Sequence, residues 1–279
     1  MEALSDPSTL FPLITALVVA GAAIGFLAGL FGVGGGAISV PVFFEIFQTL
    51  GYAPEVAMPV AVGTSLAVIA PTSLASARGH HKRGTLDVEI LRIWALPILL
   101  GVAVGAFIAR FAPPAVFQTA FACVASIIAI RFLTGGARWK LYEKLPGPMV
   151  MRASGAGIGL ISAIMGIGGG AISTMFLSFF GAPIHRAIST SAGVGALISI
   201  PGTLGYILAG WGRGDLPPAT LGFVSLAAFA VSIPTSLMTT RGGVALAHRL
   251  SRRTLELAFG AFLVLVAGRF IYALLSAAP

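Results

Sequence analysis

The sequence predicts an all-α polytopic membrane protein made of two inverted-topology repeats of about five hydrophobic segments each, with glycine-broken helices near the bilayer midplane. Three observations predict this fold. Of the 279 residues, 57% are hydrophobic and only 9% are charged, whereas a soluble domain carries about 25% charged residues. A glycine-rich segment of nineteen residues occurs twice. The basic residues also divide unequally between the two sides of the membrane when the chain is traced through its segments.

The apolar residues form long stretches without the alternating pattern of barrel strands, so the spanning segments are predicted to be helices. A span needs about 20 such residues, and the second segment of each half is shorter. The first two segments of each half fit two crossings or a re-entrant pair of half-helices, and both alternatives return the chain to the same side. The segments lie near 11–31, 36–50, 56–77, 91–110 and 115–134, and near 154–165, 170–180, 187–209, 218–239 and 254–275.

Composition also excludes several function classes. The net charge of +8 fits cytoplasmic loops facing anionic lipid, and no interleaving of aromatic and basic residues suggests nucleic acid. The single cysteine, Cys123, cannot form an internal disulfide, and the four histidines lack neighbouring ligands, so neither a metal nor a cofactor is predicted. No paired carboxylates or Cys–His pair suggest catalysis, which argues against an enzyme. Glu2 and Asp6 without an adjacent basic residue argue against a cleavable signal peptide.

The repeated segment is the main organisational feature. Residues 24–42 read IGFLAGLFGVGGGAISVPV and residues 158–176 read IGLISAIMGIGGGAISTMF, and nine of the nineteen aligned positions are identical. The sequence therefore divides into a first transmembrane repeat at 1–137, a cytoplasmic linker at 138–149 and a second transmembrane repeat at 150–279.

An odd number of segments in each half predicts that the halves face opposite ways. With the linker placed in the cytoplasm, fourteen of the 17 Lys and Arg residues fall inside, and Arg110, Arg213 and Arg269 fall outside. Both termini are then predicted to lie outside a bacterial inner membrane. Inverted repeats of this kind are a recurrent architecture of secondary transporters.

The glycine clusters at 32–36 and 166–170 predict helix breaks, because each glycine costs about 1 kcal/mol relative to alanine inside a helix. A helix restarting at Ala37 or Ala171 directs its free amides at the break, which suits an anion. Close packing of helices through small residues is the structural alternative. The predicted anion-binding residues of these clusters are Gly34, Gly35, Gly36, Ser39, Gly168, Gly169, Gly170 and Ser173.

A second polar cluster follows each break. Thr64 and Ser65 in the first half, and Thr190 and Ser191 in the second, are predicted to contact the same ligand. The alternative is that these hydroxyls bond their own helix backbone.

Three ionisable residues are candidates for coupling or gating. Glu45 lies either within the membrane, where a carboxylate suggests proton coupling, or at the interface near the outer end of a short segment. His185 and Arg186 precede the second hydroxyl cluster and serve either as positive-inside anchors or to attract substrate at the cytoplasmic mouth.

The segment GLFGVGGGAISVPVFF, its second copy, and the sequences Ala-Val-Gly-Thr-Ser at 61–65 and Ala-Ile-Ser-Thr-Ser at 187–191 resemble the sulfite exporter TauE/SafE family. The resemblance covers most of the chain and implies an inner-membrane permease for sulfite, sulfoacetate or other sulfonates. Ser189 departs from the glycine of the family pattern, and Glu45 is unusual.

The predicted function is that of a secondary membrane transporter that moves a small sulfur-containing oxyanion by alternating access. The alternative is an anion channel with re-entrant glycine-rich selectivity loops. The expected partners are the small anion and membrane lipid, with a homodimer as a further possibility.

Overall fold

The computed structural model describes residues 7–31, 36–135 and 142–276, which form ten helices and one short hairpin. The prediction of an all-α polytopic protein is therefore confirmed. The first five helices are α1 (Pro7–Phe31), α2 (Gly36–Thr49), α3 (Pro54–Lys82), α4 (Val88–Phe111) and α5 (Pro114–Thr134). After the linker come α6 (Pro148–Met165), α7 (Gly170–Phe179), α8 (Ile184–Ala209), strands β1 (Thr220–Leu221) and β2 (Val224–Ser225), α9 (Leu226–Arg249) and α10 (Arg252–Ser276).

Six of these helices are long and apolar enough to cross a membrane, namely α3, α4, α5, α6, α8 and α10. Large apolar side chains such as Phe107, Leu208 and Leu265 point outward and are about two-thirds exposed or more. Apolar residues on both the inner and outer faces are typical of helices surrounded by lipid. The helices α2 and α7 are too short to cross by themselves, in agreement with the short second segment of each half.

The helices of the two halves are exchanged rather than packed as separate lobes. Helix α1 lies along α9, and α4 lies along α6, so each half supplies one partner to each pair. Helices α3 and α8 pack against each other, as do α5 and α10. If five is added to each helix number, with α1 following α10, the same four pairs result. This pattern is the one expected of two units related by a two-fold axis.

Small residues allow the exchanged helices to approach closely. A Cβ atom built on Gly105 of α4 would lie 2.8 Å from the Cβ of Ala163 in α6. On the facing helix, Gly155 is covered by the indole of Trp94, whose Nε1 donates a 2.7 Å hydrogen bond to the carbonyl of Met151. Close packing through small residues, the structural alternative for glycine in these segments, therefore explains several glycines outside the two clusters.

One segment starts later than its hydrophobicity suggests. The apolar stretch at 218–239 begins with the β1–β2 hairpin, and α9 starts only at Leu226 and continues to Arg249. The reason is local: Gly222 turns the hairpin at a φ of 53°, and the Ser225 side chain accepts a 3.2 Å hydrogen bond from the amide of Ala228 as the N-cap of α9.

Candidate functional site

The second glycine cluster forms a tight turn between α6 and α7. Gly166, Gly168 and Gly169 have φ angles of 68°, 61° and 70°, a left-handed conformation that side chains rarely adopt. The amides of Gly166 and Ile167 both donate to the carbonyl oxygen of Ser162, at 2.8 and 3.3 Å, which ends α6. We call residues 166–169 the glycine turn. The corresponding first cluster includes Gly34 and Gly35, which lie outside the described residues.

The start of α2 packs directly against the glycine turn. A Cβ atom on Gly36 would lie 2.5 Å from the Cα of Ile167 and 2.9 Å from the carbonyl oxygen of Gly166. Contacts shorter than 3 Å force a shift of backbone, so only glycine fits at residue 36 without moving α2. Gly36, the last residue of the first glycine cluster, therefore lies against the second cluster, 130 positions from Gly166 in the chain.

Two predicted hydroxyls meet at this contact. The Oγ of Ser65 donates a 2.7 Å hydrogen bond to the carbonyl of Gly166, and the Oγ atoms of Ser39 and Ser65 are 2.6 Å apart. Because a hydroxyl has one hydrogen, Ser39 must be the donor to Ser65. Ser39, Ser65 and the neighbouring Thr64 have no exposed surface. We call Gly36, Ser39, Ser65 and Gly166 the central cluster.

Thr64 and Thr190 make equivalent hydrogen bonds, one in each half. The Oγ1 of Thr64 in α3 accepts a 2.9 Å hydrogen bond from the amide of Ser225, the N-cap of α9. The Oγ1 of Thr190 in α8 accepts a 3.2 Å hydrogen bond from the amide of Asp87, the N-cap of α4. Each threonine thus fixes the first turn of a helix from the other half. Neither Asp87 nor Ser225 was among the predicted site residues.

Arg186, which is predicted to lie at the cytoplasmic mouth, is paired with an acidic residue. Its guanidinium forms an ion pair with Asp87, whose carboxylate also accepts from the amides of Glu89 and Ile90 at 3.1 and 3.2 Å. The side chain of Arg186 is about half exposed, whereas that of Asp87 is buried. The side chain of His185 lies outside the described residues, and its gating role stays a prediction.

Two other predicted hydroxyls bond their own helices. The Oγ of Ser173 donates to the carbonyls of Gly169 and Gly170, at 2.8 and 3.2 Å, and that of Ser191 donates to the carbonyl of Ile188 at 2.8 Å. Backbone bonding, the alternative for such hydroxyls, therefore describes both residues in this conformation. Gly170 begins α7, and in the part of the chain that the structure describes the amides of Gly170, Ala171 and Ile172 find no backbone acceptor, whereas that of Ser173 donates to the carbonyl of Gly169 at 2.9 Å.

Ser162 is a further polar residue at the glycine turn that sequence reasoning missed. It is fully buried, and among the described residues its Oγ has no hydrogen-bond partner. The same Oγ would lie 3.1 Å from a Cβ atom on Gly169. The available signal was a difference between the repeats, because alanine occupies the aligned position 28 of the first copy. A buried hydroxyl without a partner is costly, so it asks for an explanation.

Glu45 lies apart from the central cluster. Its carboxylate Oε1 is 2.9 Å from the Nε of Arg269, and both side chains are about half exposed. The interfacial position and the coupling role of Glu45 both stay predictions. In the loop before the hairpin, the Arg213 guanidinium beside Asp215 lowers the pKa of that carboxyl. Within the described ranges, no three His, Cys, Asp or Glu residues are grouped as metal ligands.

Apolar spans arranged around a buried polar contact between two helix breaks define an integral membrane protein with the architecture of a transporter. The family model described as Sulfite exporter TauE/SafE matches residues 17–270. The chain belongs to this family and is a multi-pass membrane transporter.

Relatives in other organisms carry the same general description. The chain is 34% identical over 259 residues to a probable membrane transporter protein of Haemophilus influenzae, with 92% of this chain and 98% of the relative covered. It is 26% identical over 253 residues to one of Methanocaldococcus jannaschii, with 90% and 92% covered. A probable membrane transporter protein of Bacillus subtilis is 24% identical over 280 residues, with 92% and 96% covered. No solved structure matches the chain.

Proposed function

We propose that the protein is a secondary transporter that moves a small sulfur-containing oxyanion, such as sulfite, sulfoacetate or another organosulfonate, across the bacterial inner membrane by alternating access. The observation that carries this proposal is the contact of the α2 start with the glycine turn at the central cluster. The family description names sulfite as the class of substrate.

The donors around the contact suit an oxyanion. First-turn amides of α7, the hydroxyls of Ser39 and Ser65 and the unpartnered hydroxyl of Ser162 all supply hydrogen atoms without a fixed positive charge. Arg186, the arginine among the predicted site residues, is paired with Asp87. Binding by neutral donors is weaker than binding by a desolvated cation, which favours release on the far side of the membrane.

The central cluster is closed in this conformation, because Ser39, Ser65 and Gly166 satisfy one another and are buried. The anion therefore enters when α2 separates from the glycine turn. On separation, Ser39 and Ser65 exchange their protein acceptors for oxygen atoms of the anion. Exchanging one acceptor for another changes the free energy little, about 1 kcal/mol for each bond, so the two conformations stay close in energy.

Alternating access follows from the exchanged helices in this proposal. The pairs α1–α9 and α4–α6 form two arms, and α3 with α8 forms the centre between them. Thr64 and Thr190 attach α9 and α4 to this centre at equivalent places. If the halves are inverted, rocking one arm opens the central cluster to one side, and rocking the other arm opens it to the opposite side.

The test is flux of radiolabelled sulfite into liposomes that contain the purified protein. We expect saturable uptake that accelerates when unlabelled sulfite is placed inside the liposomes, because a carrier returns faster when loaded. Sulfoacetate and taurine, added outside in excess, report which sulfonates compete. A macroscopic anion current that grows linearly with the sulfite concentration and does not depend on internal sulfite would instead identify a channel. Absence of flux for every sulfur oxyanion would contradict the proposed substrate class.

A further inference from the structure

An apolar groove lies on the outer surface of the bundle between α1, α2 and α10. Its volume is about 940 Å³. Small residues of α1, Ala16, Ala20 and Ala23, form one wall, and Val42 of α2 and Leu265 of α10 form the others. We call this feature the α10 groove. Ala16 and Val19 in its wall are exposed, so a molecule from the surrounding bilayer reaches it without any opening of the protein.

The only charged residues that line the α10 groove, among those the structure describes, are Glu45 and Arg269. The lining residues of α10 run from Phe262 to Phe270, about 12 Å at 1.5 Å per residue. Arg269 is near the end of that run, and Glu45 is near the end of the run along α2. The groove therefore has a long apolar floor and one charged end.

The ion pair leaves most of its hydrogen-bonding capacity unused. The contact joins the Nε of Arg269 to the Oε1 of Glu45 at 2.9 Å. No other polar group within the described ranges bonds the two Nη atoms of Arg269 or the Oε2 of Glu45, and both side chains are about half exposed. The charged end thus offers guanidinium donors beside a carboxylate acceptor.

The wall behind this end is formed by packed aromatic rings. The ring of Phe270 is buried and packs against Phe44 at 5.9 Å and against Phe121 at 5.0 Å, measured between ring centroids. Aromatic packing of this kind holds α10 against α2 and α5.

We propose that the α10 groove binds one phosphatidylethanolamine molecule of the bilayer, with an acyl chain along the apolar floor. The lipid phosphate contacts the free Nη atoms of Arg269, and its primary ammonium donates to the free Oε2 of Glu45. An adjacent positive and negative group complements a headgroup that carries both charges. Phosphatidylglycerol lacks the ammonium, and the quaternary ammonium of phosphatidylcholine has no hydrogen to donate. This inference is independent of the proposed substrate.

The experiment is native mass spectrometry of the purified, delipidated protein titrated in turn with phosphatidylethanolamine, phosphatidylglycerol and phosphatidylcholine of identical acyl chains. For the wild type we expect one tight site for phosphatidylethanolamine, about fivefold tighter than for the other two lipids, as one exposed charge-assisted contact predicts. Equal affinity for the three lipids would overturn the proposal.

Three variants separate the contribution of the lipid headgroup to binding from that of its acyl chain. In Arg269→Gln the affinity for phosphatidylethanolamine falls about fivefold. In Glu45→Gln the preference for phosphatidylethanolamine over phosphatidylglycerol disappears, because Arg269 then accepts either phosphate. This ratio is measured within one preparation and does not depend on the folded fraction. Ala16→Phe fills the groove from an exposed position of α1 and abolishes the tight site.

The matched control is Ala103→Phe, which adds the same ring at an exposed position of α4 outside the groove. We expect Ala103→Phe to bind phosphatidylethanolamine like the wild type. Equal lipid binding by Ala16→Phe and Ala103→Phe would overturn the proposal. So would a wild-type dimer that Ala16→Phe converts to monomer while the lipid affinity stays unchanged, since a second copy of the chain would then occupy the groove.

Discussion

The hydroxyl of Ser65 donates a 2.7 Å hydrogen bond to the carbonyl oxygen of Gly166, 101 positions further along the chain. This bond joins α3 of the first half to the glycine turn of the second, and Ser39 extends it to α2. Three elements from both halves thus meet through two hydroxyls and one carbonyl. If α2 moves away from the glycine turn together with α3 during transport, this bond must break.

Removing that hydroxyl should destabilise the protein. In Ser65→Ala, the Gly166 carbonyl and the Ser39 hydroxyl both lose a buried partner, which costs about 1–3 kcal/mol of the free energy of unfolding. Thermal unfolding in detergent measures the effect. Ser154→Ala is the control, because Ser154 donates only to the carbonyl of Met151 in its own helix. Equal melting temperatures for the two variants would contradict the role assigned to Ser65.

Removing the hydroxyl of Ser162 should change transport without lowering stability. Its Oγ finds no partner among the described residues, so Ser162→Ala leaves the melting temperature unchanged or slightly higher. If the hydroxyl binds the transported anion, the KM for sulfite uptake rises about fivefold, the loss of one neutral hydrogen bond. Ser232→Ala is a matched control, since Ser232 is equally buried and also lacks a partner in the described part of the chain. A normal KM in Ser162→Ala would remove Ser162 from the site.

The contact at Gly36 tolerates no side chain. Gly36→Ala places a methyl group 2.5 Å from the Cα of Ile167, and the resulting overpacking costs about 1–3 kcal/mol and displaces α2. We expect both the melting temperature and sulfite flux to fall. Gly157→Ala introduces the same methyl group in α6 where no atom lies within 4 Å. That control should gain up to about 1 kcal/mol from helix propensity. Similar behaviour of the two variants would show that the contact is unimportant.

Asp87 caps α4 and pairs with Arg186, and substitutions can separate these two roles. Asp87→Asn keeps an N-cap for α4 and loses the ion pair with Arg186, so it should resemble Arg186→Ala, each costing about 1 kcal/mol because Arg186 is half exposed. Asp87→Ala also loses the cap, which adds about 1 kcal/mol. Urea unfolding followed by circular dichroism measures all three variants. A loss in Asp87→Ala no larger than in Arg186→Ala would contradict the capping role.

The predicted inversion of the repeats would place two equivalent helix ends on opposite sides of the membrane. His81 lies at the end of α3 and Trp211 follows the end of α8, and both are exposed. In a background lacking the single cysteine, Cys123, we expect His81→Cys to react with a membrane-impermeant maleimide only after cells are opened. Trp211→Cys should react in intact cells. Reaction of both from the same side would exclude inversion.

Apolar length and internal repetition, which are properties of the chain itself, predicted the helices, although α9 starts at Leu226, later than its apolar stretch. The sequence could not predict the contact between Ser39 and Ser65, because hydrophobic periodicity does not specify which helix faces meet. Sequence reasoning offered ligand contact or own-backbone bonding for Thr64 and Thr190, whereas both bond the N-cap of another helix. Asp87 had a usable signal, a capping residue just before an apolar run.

The exchanged pairing of α1 with α9 has a consequence for biosynthesis. Helix α1 ends at Phe31, and its partner begins at Leu226, about 195 residues later. At ribosomal rates of about 5–20 residues per second, α1 waits roughly 10–40 s in the bilayer before that partner is made. During this interval the close-packing glycines of α1, Gly21 and Gly25, face lipid or another helix. A nascent chain that stops before α9 therefore leaves the first helix without its native partner and with its small-residue face uncovered by α9.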